Sequence, residues 1–99
     1  MPESCFVVVH RPGPAWQPGV PLFEQPGLPD HVAHYRQWQA SGRLALGGPF
    51  LDAAGGGMMI TAPGPTLDEV QAFAAADPAV ASGLLGYEVR PWLIGMRGA

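Results

Sequence analysis

Proline and glycine divide this chain into short segments, and this division limits what it can fold into. The 99 residues include 14 glycines and 12 prolines, a proportion typical of low-complexity chains. Here, however, these residues lie between segments with a clear hydrophobic periodicity. A chain of this length holds one domain. We therefore predict a single domain over residues 1–99, built from short strands and helices.

Four of the segments have the composition of β-strands. They are rich in aliphatic and aromatic residues and are bounded by glycine, proline or polar turns: residues 4–10, 43–50, 58–62 and 85–94. A glycine-rich turn separates the second from the third, so we predict that these two strands form a hairpin.

The remaining segments predict helices. The first covers residues 31–41, with Asp30 as its N-cap and with Arg36 pointing outward. Its buried stripe consists of His31, Tyr35 and Trp38. The second covers residues 66–76 and begins with a capping-box sequence. A short third helical turn is predicted at residues 77–83.

The predicted order is β-α-β-β-α-β, which is that of the ferredoxin-like α+β fold. Right-handed crossovers place both helices on one face of a four-stranded antiparallel sheet. The strands nevertheless carry apolar residues on both faces, since Phe6 and Val8 alternate with Val7 and Val9. A second copy packed on the open sheet face would remove that surface from water, so we predict a homodimer.

Residues 12–29 form a long segment without periodicity. Half of them are proline or glycine, and we expect no regular secondary structure there. Trp16, Leu22 and Phe23 are the residues that could hold this loop against the domain. A loop of this length in a compact domain is often a lid over a site. The alternative is a surface insertion without a functional role.

Charge and cysteine content narrow the classes of function. Five basic residues against eight carboxylates give a formal charge of −3, whereas a nucleic-acid-binding protein normally presents a basic surface. Cys5 is the single cysteine, which rules out an internal disulfide and a zinc site of several thiolates. The apolar run at residues 5–9 is too short to span a membrane. We expect a cytoplasmic protein that binds neither nucleic acid nor membranes.

Two residues are candidates for acid–base catalysis. His31 lies in the first turn of its helix, where the helix dipole disfavours a protonated imidazole, so we expect it to be a neutral base. The alternative is a buried histidine that bonds to a backbone carbonyl. Asp77 matches the N-cap of the short third helix, and its second carboxylate oxygen could also hold the His31 ring.

Other residues are candidates for contact with a small-molecule substrate. His10 ends the first strand beside Arg11, where the alternative is a solvated strand end. The backbone of residues 47–48 could donate to a developing oxyanion. The predicted substrate contacts are His10, Trp16, Tyr35, Gly48 and Pro49.

The spacing of the three histidines does not predict a metal site, because neither an H-x-x-x-H nor an H-x-H sequence is present. Asp30, His31 and His34 are conceivable ligands, but we expect His34 at the surface or facing the predicted lid. We therefore expect neither a metal ion nor another cofactor.

Three motifs in order resemble the YciI-like (YCII-related) proteins. They are HVAHYRQWQASGRLALGGP at residues 31–49, DPAVASGL at residues 77–84 and RPW at residues 90–92. The resemblance implies a dimeric α+β barrel of ferredoxin-like subunits, similar to muconolactone isomerases and small monooxygenases. It also implies that His31 and Asp77 form a catalytic pair in a cleft. One class of relatives removes chloride from a chlorinated hydroxyquinol. Ala79 departs from the family pattern, in which an aromatic residue follows Asp-Pro.

These observations leave three functions open. The first is a cofactor-free lyase, isomerase or hydrolase that acts on a small aromatic or enolisable molecule through His31 and Asp77. The second is a non-catalytic dimer that binds a small ligand or serves assembly. The third is a cofactor-free monooxygenase. The fold alone does not decide among them.

Overall fold

The computed structural model describes residues 3–98 and confirms the α+β, ferredoxin-like fold. The strands are β1 (Glu3–Pro12), β2 (Leu44–Pro49), β3 (Gly57–Thr61) and β4 (Leu85–Ile94). The α-helices are α1 (Leu28–Ala40), α2 (Leu67–Ala75) and α3 (Pro78–Ala81). The strands form one antiparallel sheet in the order β2-β3-β1-β4. Within residues 3–98, no helix is long and apolar enough to cross a membrane.

The first helix begins earlier than the sequence predicts. Its N-cap is Gly27 in the left-handed conformation, with φ of 91°, and Pro29 lies in the first turn. Proline is favoured there because the first helical N–H groups have no intrahelical acceptor. The predicted cap at Asp30 is therefore wrong. Asp30 lies inside the first turn, and His31 follows it on the buried side of the helix.

The proline- and glycine-rich segment is ordered. It contains a 3₁₀ helix at Leu22–Glu24, so the expectation of no regular structure is wrong at these residues. Gln25 is 2% exposed, and its side-chain amide bonds to the backbone of Gln17 and Val20. These hydrogen bonds satisfy three backbone groups in a segment whose prolines lack the N–H that regular secondary structure requires.

The main core lies between the sheet and the helices. Val8, Trp38, Val70 and Ala74 form its centre. The α2 capping box is present, with the Thr66 hydroxyl accepting from a backbone N–H of the first turn. This cap and the buried face of α2 account for the predicted second helix.

The other face of the sheet carries the alternate residues of each strand. Besides the buried Cys5 and Ile94 at the end of β4, its apolar members are six residues that we call the open sheet face: Val7, Val9, Leu46, Met58, Ile60 and Trp92. All six remain at least partly exposed, and Leu46 and Trp92 are 61% and 45% exposed. Both sheet faces are therefore apolar, as predicted, and the helices cover one of them.

Candidate functional site

A cavity of about 530 Å³ lies between α1 and the strands β2 and β3. This volume is in the range of small-molecule sites. Its α1 wall holds Leu28, His31, Val32, Tyr35, Arg36 and Gln39. The facing wall is β2 with part of β3, and Leu22 and Phe23 of the loop stand at one side. His10 and Leu85 complete the cavity from the central strands.

His31 and Asp77 meet at this cavity through a hydrogen bond. His31 Nδ1 donates to Asp77 Oδ2 at 2.5 Å, and Asp77 is completely buried. The other carboxylate oxygen, Oδ1, accepts from the backbone N–H of Ala79 at 2.9 Å and so caps α3. Asp77 thus performs both roles that the sequence predicts for it, as N-cap and as holder of the imidazole.

The second nitrogen of His31 remains available. Its Nε2 makes no hydrogen bond within residues 3–98. No side-chain nitrogen or oxygen there is both fully buried and without a partner, so Nε2 is not fully buried, and His31 lines the cavity. Because Nδ1 holds a proton for Asp77, Nε2 is the nitrogen that can accept a proton from a ligand. The alternative of a carbonyl-bound His31 is not what the structure shows.

A second hydrogen-bonded pair lies beside the first. His10 Nδ1 donates to the Gly86 carbonyl at 3.0 Å, which leaves Nε2 as an acceptor. The Tyr35 hydroxyl donates to that Nε2 at 2.8 Å. The His10 and His31 ring centres are 5.0 Å apart. The solvated strand end considered for His10 is wrong, since the ring is 2% exposed and faces the helices.

Burial sets the protonation of this second pair. Burial, together with a smaller contribution from the nearby His31, lowers the pKa of His10 from 6.5 to about 4. Burial also raises the pKa of the Tyr35 hydroxyl, with a contribution from the Asp77 carboxylate. At neutral pH both groups are therefore uncharged, and the cavity faces a neutral imidazole and a neutral phenol.

The shifted His10 predicts a loss of stability in mild acid. The unfolded chain protonates this histidine near pH 6.5 and the native chain only near pH 4. Between these values the unfolded chain binds more protons, so stability falls as the pH falls. The loss from His10 should reach about 3 kcal/mol by pH 4. Urea unfolding at a series of pH values measures it.

The His10→Gln variant is the matched control. A glutamine amide can donate to the Gly86 carbonyl and accept from Tyr35, but it does not titrate. This variant should lose less stability than the wild type over the same pH range. Equal slopes for both proteins would contradict the assignment to His10.

The structure brings together a different set of candidate metal ligands than the sequence suggests. His10, His31 and Asp77 each offer one ligand atom, and these atoms lie within 4.8 Å of one another. Both His10 nitrogens and both Asp77 oxygens already make hydrogen bonds. Asp30 is exposed and does not join them. In the arrangement described, the cluster is a hydrogen-bonded network in which His31 Nε2 is the ring nitrogen without a partner.

His34 is placed differently from the sequence expectation. Its Nε2 donates to the Phe73 carbonyl at 2.6 Å, and its ring stacks on the Phe73 ring with centres 4.0 Å apart. His34 therefore links α1 to α2. It is only partly exposed to solvent and does not face the loop. The helical spacing sets it about 60° from the buried stripe but does not reveal the neighbouring helix.

Among the predicted substrate contacts, His10, Tyr35, Gly48 and Pro49 line the cavity. Nothing lies within 4 Å of the position that a Cβ on Gly48 would occupy, so the backbone there is open to a ligand. Trp16 is not part of the lining, because it packs against Ala79, Leu84 and Leu85. A substrate contact from Trp16 would require the loop to move.

One lining residue that bears charge was not predicted from the sequence. Arg36 is exposed, as predicted for an outward position, yet it stands at the cavity beside Gln39. The signal was available in the helical spacing, because Val32, Arg36 and Gln39 form a stripe next to that of His31 and Tyr35. What the spacing could not show is that β2 lies across from this stripe.

Comparison with known proteins gives two findings. Residues 6–93 match the YCII-related domain. The chain is also 37% identical over 70 residues to the uncharacterized protein YjpA of Bacillus subtilis (strain 168), an alignment that covers 71% of this chain and 80% of that protein. The domain match spans β1 to β4 and includes every residue described at the cavity.

Proposed function

Because this chain belongs to the family of YCII-related domain proteins, we propose that it is a proton-transfer enzyme whose base is His31. The observation that carries the proposal is the 2.5 Å bond from His31 Nδ1 to a fully buried Asp77, with Nε2 left for a ligand. The reaction belongs to the lyase, isomerase or hydrolase type and uses no cofactor.

The chemistry follows from the order of the hydrogen bonds. Asp77 fixes the tautomer of His31 and stabilises the imidazolium that forms when Nε2 takes a proton. Such a base contributes on the order of 10²–10⁴-fold to a rate. The proton comes from an acidic C–H or from a water molecule that attacks the substrate. The backbone at Gly48 is a candidate donor to the oxyanion that develops.

Isotope exchange into simple carbon acids tests the proposed base directly. We expect the protein to accelerate deuterium incorporation into at least one member of a panel of small 1,3-dicarbonyl compounds and aryl pyruvates, measured by ¹H NMR in D₂O. Imidazole at the same concentration is the control for a base that is not positioned. Rates equal to those of imidazole across the panel would contradict the proposal.

A second candidate function is ligand binding without catalysis. The observation that favours it is the cavity itself, whose walls are mostly apolar and would bind a small molecule whether or not His31 reacts with it. Binding of panel compounds without exchange would support this candidate over the enzyme.

We also propose that two copies pack through the open sheet face. Six partly exposed apolar residues on one surface are the support for this dimer. A two-fold axis would place the same residues of each copy against one another. Leu46 and Met58 of this surface also line the cavity, so a second copy packed there would lie next to it.

The loop at residues 12–29 is proposed as a lid over the cavity. Leu22 and Phe23 line the cavity, and Phe23 is 79% exposed. An exposed aromatic ring at the mouth gains buried surface when it closes over an apolar ligand. Location in the cytoplasm stays a prediction from the sequence.

A further inference from the structure

We infer that the ligand of this cavity is a small carboxylate whose anionic end binds Arg36 and whose opposite end carries a hydroxyl toward Tyr35 and His31. This inference rests on the proposed function, because it names the substrate class of the same site. It is carried by the charges that line the cavity and by the direction of the hydrogen bonds within it.

Arg36 is the residue with a permanent charge among those that line the cavity. No aspartate or glutamate joins it there within residues 3–98. The carboxylate of Asp77 lies behind His31 and is fully buried. The protein has a formal charge of −3, so attraction of an anion to this cavity must be local, and Arg36 is the group that supplies it.

The guanidinium of Arg36 is oriented but not neutralised. Its Nη1 donates to Gln39 Oε1 at 2.8 Å, and both side chains line the cavity. The ion pairs of the described residues involve Arg11, His31 and Arg97, so Arg36 has no carboxylate partner there. A guanidinium has five N–H donors, and the remaining ones suit a carboxylate in a bidentate arrangement.

The other end of the cavity accepts hydrogen bonds. The Tyr35 hydroxyl directs its proton to His10 Nε2, so its oxygen offers lone pairs. His31 Nε2 is the other acceptor. A ligand group at this end must therefore donate, as a hydroxyl does.

The rest of the lining is mostly apolar. Leu28, Val32, Leu44 and Met59 line the same cavity as Arg36 and His31. A ligand with an apolar ring or chain between its carboxylate and its hydroxyl offers these residues a surface to bury.

Equilibrium binding of three matched compounds tests the inference. By calorimetry or NMR titration, 4-hydroxybenzoate should bind about tenfold more tightly than benzoate, which lacks the hydroxyl, and than methyl 4-hydroxybenzoate, which lacks the charge. Arg36→Gln should weaken the binding of 4-hydroxybenzoate about tenfold and leave the affinity for the methyl ester unchanged. Tyr35→Phe should remove most of the advantage of 4-hydroxybenzoate over benzoate.

Arg43→Gln is the control, because Arg43 is also exposed and lies outside the cavity. It should bind all three compounds as the wild type does. Failure of 4-hydroxybenzoate to bind the wild type, or equal binding to Arg36→Gln, would overturn the inference. Binding that depends on Arg36 but is not accompanied by isotope exchange would support the carboxylate site and contradict the proposed enzymatic activity. Isotope exchange at a rate that does not depend on a carboxylate in the substrate would support the enzymatic activity and contradict the carboxylate site.

Discussion

The Asp77→Asn variant should keep its fold and lose proton transfer by His31. An asparagine carbonyl can still accept from Ala79 N–H, but its amide N–H₂ would face His31 Nδ1, which donates to Asp77 in the wild type. Two donors cannot face each other, so the ring must move its proton to Nε2. An Nε2 that carries a proton is no base, and the exchange rate should fall about 10²–10⁴-fold.

Two other variants separate the role of Asp77 in catalysis from its role in the fold. Asp77→Ala removes both acceptor oxygens and should lower the free energy of unfolding by about 2–4 kcal/mol, from the lost cap and the unpaired His31 N–H. His31→Ala should abolish exchange and also lower the free energy of unfolding, because it leaves Oδ2 of the fully buried Asp77 without its partner. Nitrogen-15 NMR of the imidazole rings reports the tautomer. Full exchange activity in Asp77→Asn would refute His31 as an oriented base.

Substitution of Ile60 by glutamate should convert a dimer into monomers. Ile60 lies on the open sheet face, opposite Val7 on β1, near the centre of the proposed interface. Two-fold symmetry would bury two such carboxylates without partners, and each costs about 3–5 kcal/mol. The dissociation constant of the dimer should therefore rise at least 10³-fold. Light scattering coupled to gel filtration gives the mass over a dilution series.

Leu51→Glu is the matched control for this substitution. Leu51 is 99% exposed in the turn between β2 and β3, so a charge there enters no sheet-to-sheet contact. This variant should keep the mass of the wild type. A wild type that is monomeric at every concentration would contradict the dimer.

Much of the fold follows from local patterns. The continuous β-branched and aromatic run of β1, the capping box before α2 and the Asp77-Pro78 start of α3 each fix an element with few residues. Local signals of this kind need no knowledge of distant neighbours. The pairing of His31 with Asp77, 46 positions away, was expected instead from the resemblance to the YCII-related proteins.

What the sequence did not show depends on packing between distant segments. His10 and Tyr35 are separated by 25 positions, and only the crossing of α1 over β1 joins the imidazole to the phenol. His34 depends in the same way on α2, whose Phe73 carbonyl accepts its N–H. The sequence predicts too late a start for α1, because Asp30 is a good N-cap in isolation. Gly27 and Pro29 together make the earlier start more stable.

The glycine- and proline-rich half of β2, which lines the cavity, also protects the molecule from self-association through its edge. β2 is an outer strand of the sheet, and outer strands with free backbone groups can recruit strands from other chains into aggregates. Gly47, Gly48 and Pro49 form half of β2. Glycine and proline are poor strand formers, and Pro49 has no N–H to offer an incoming strand. The part of β2 that lines the cavity is therefore a poor template for the addition of strands from other chains.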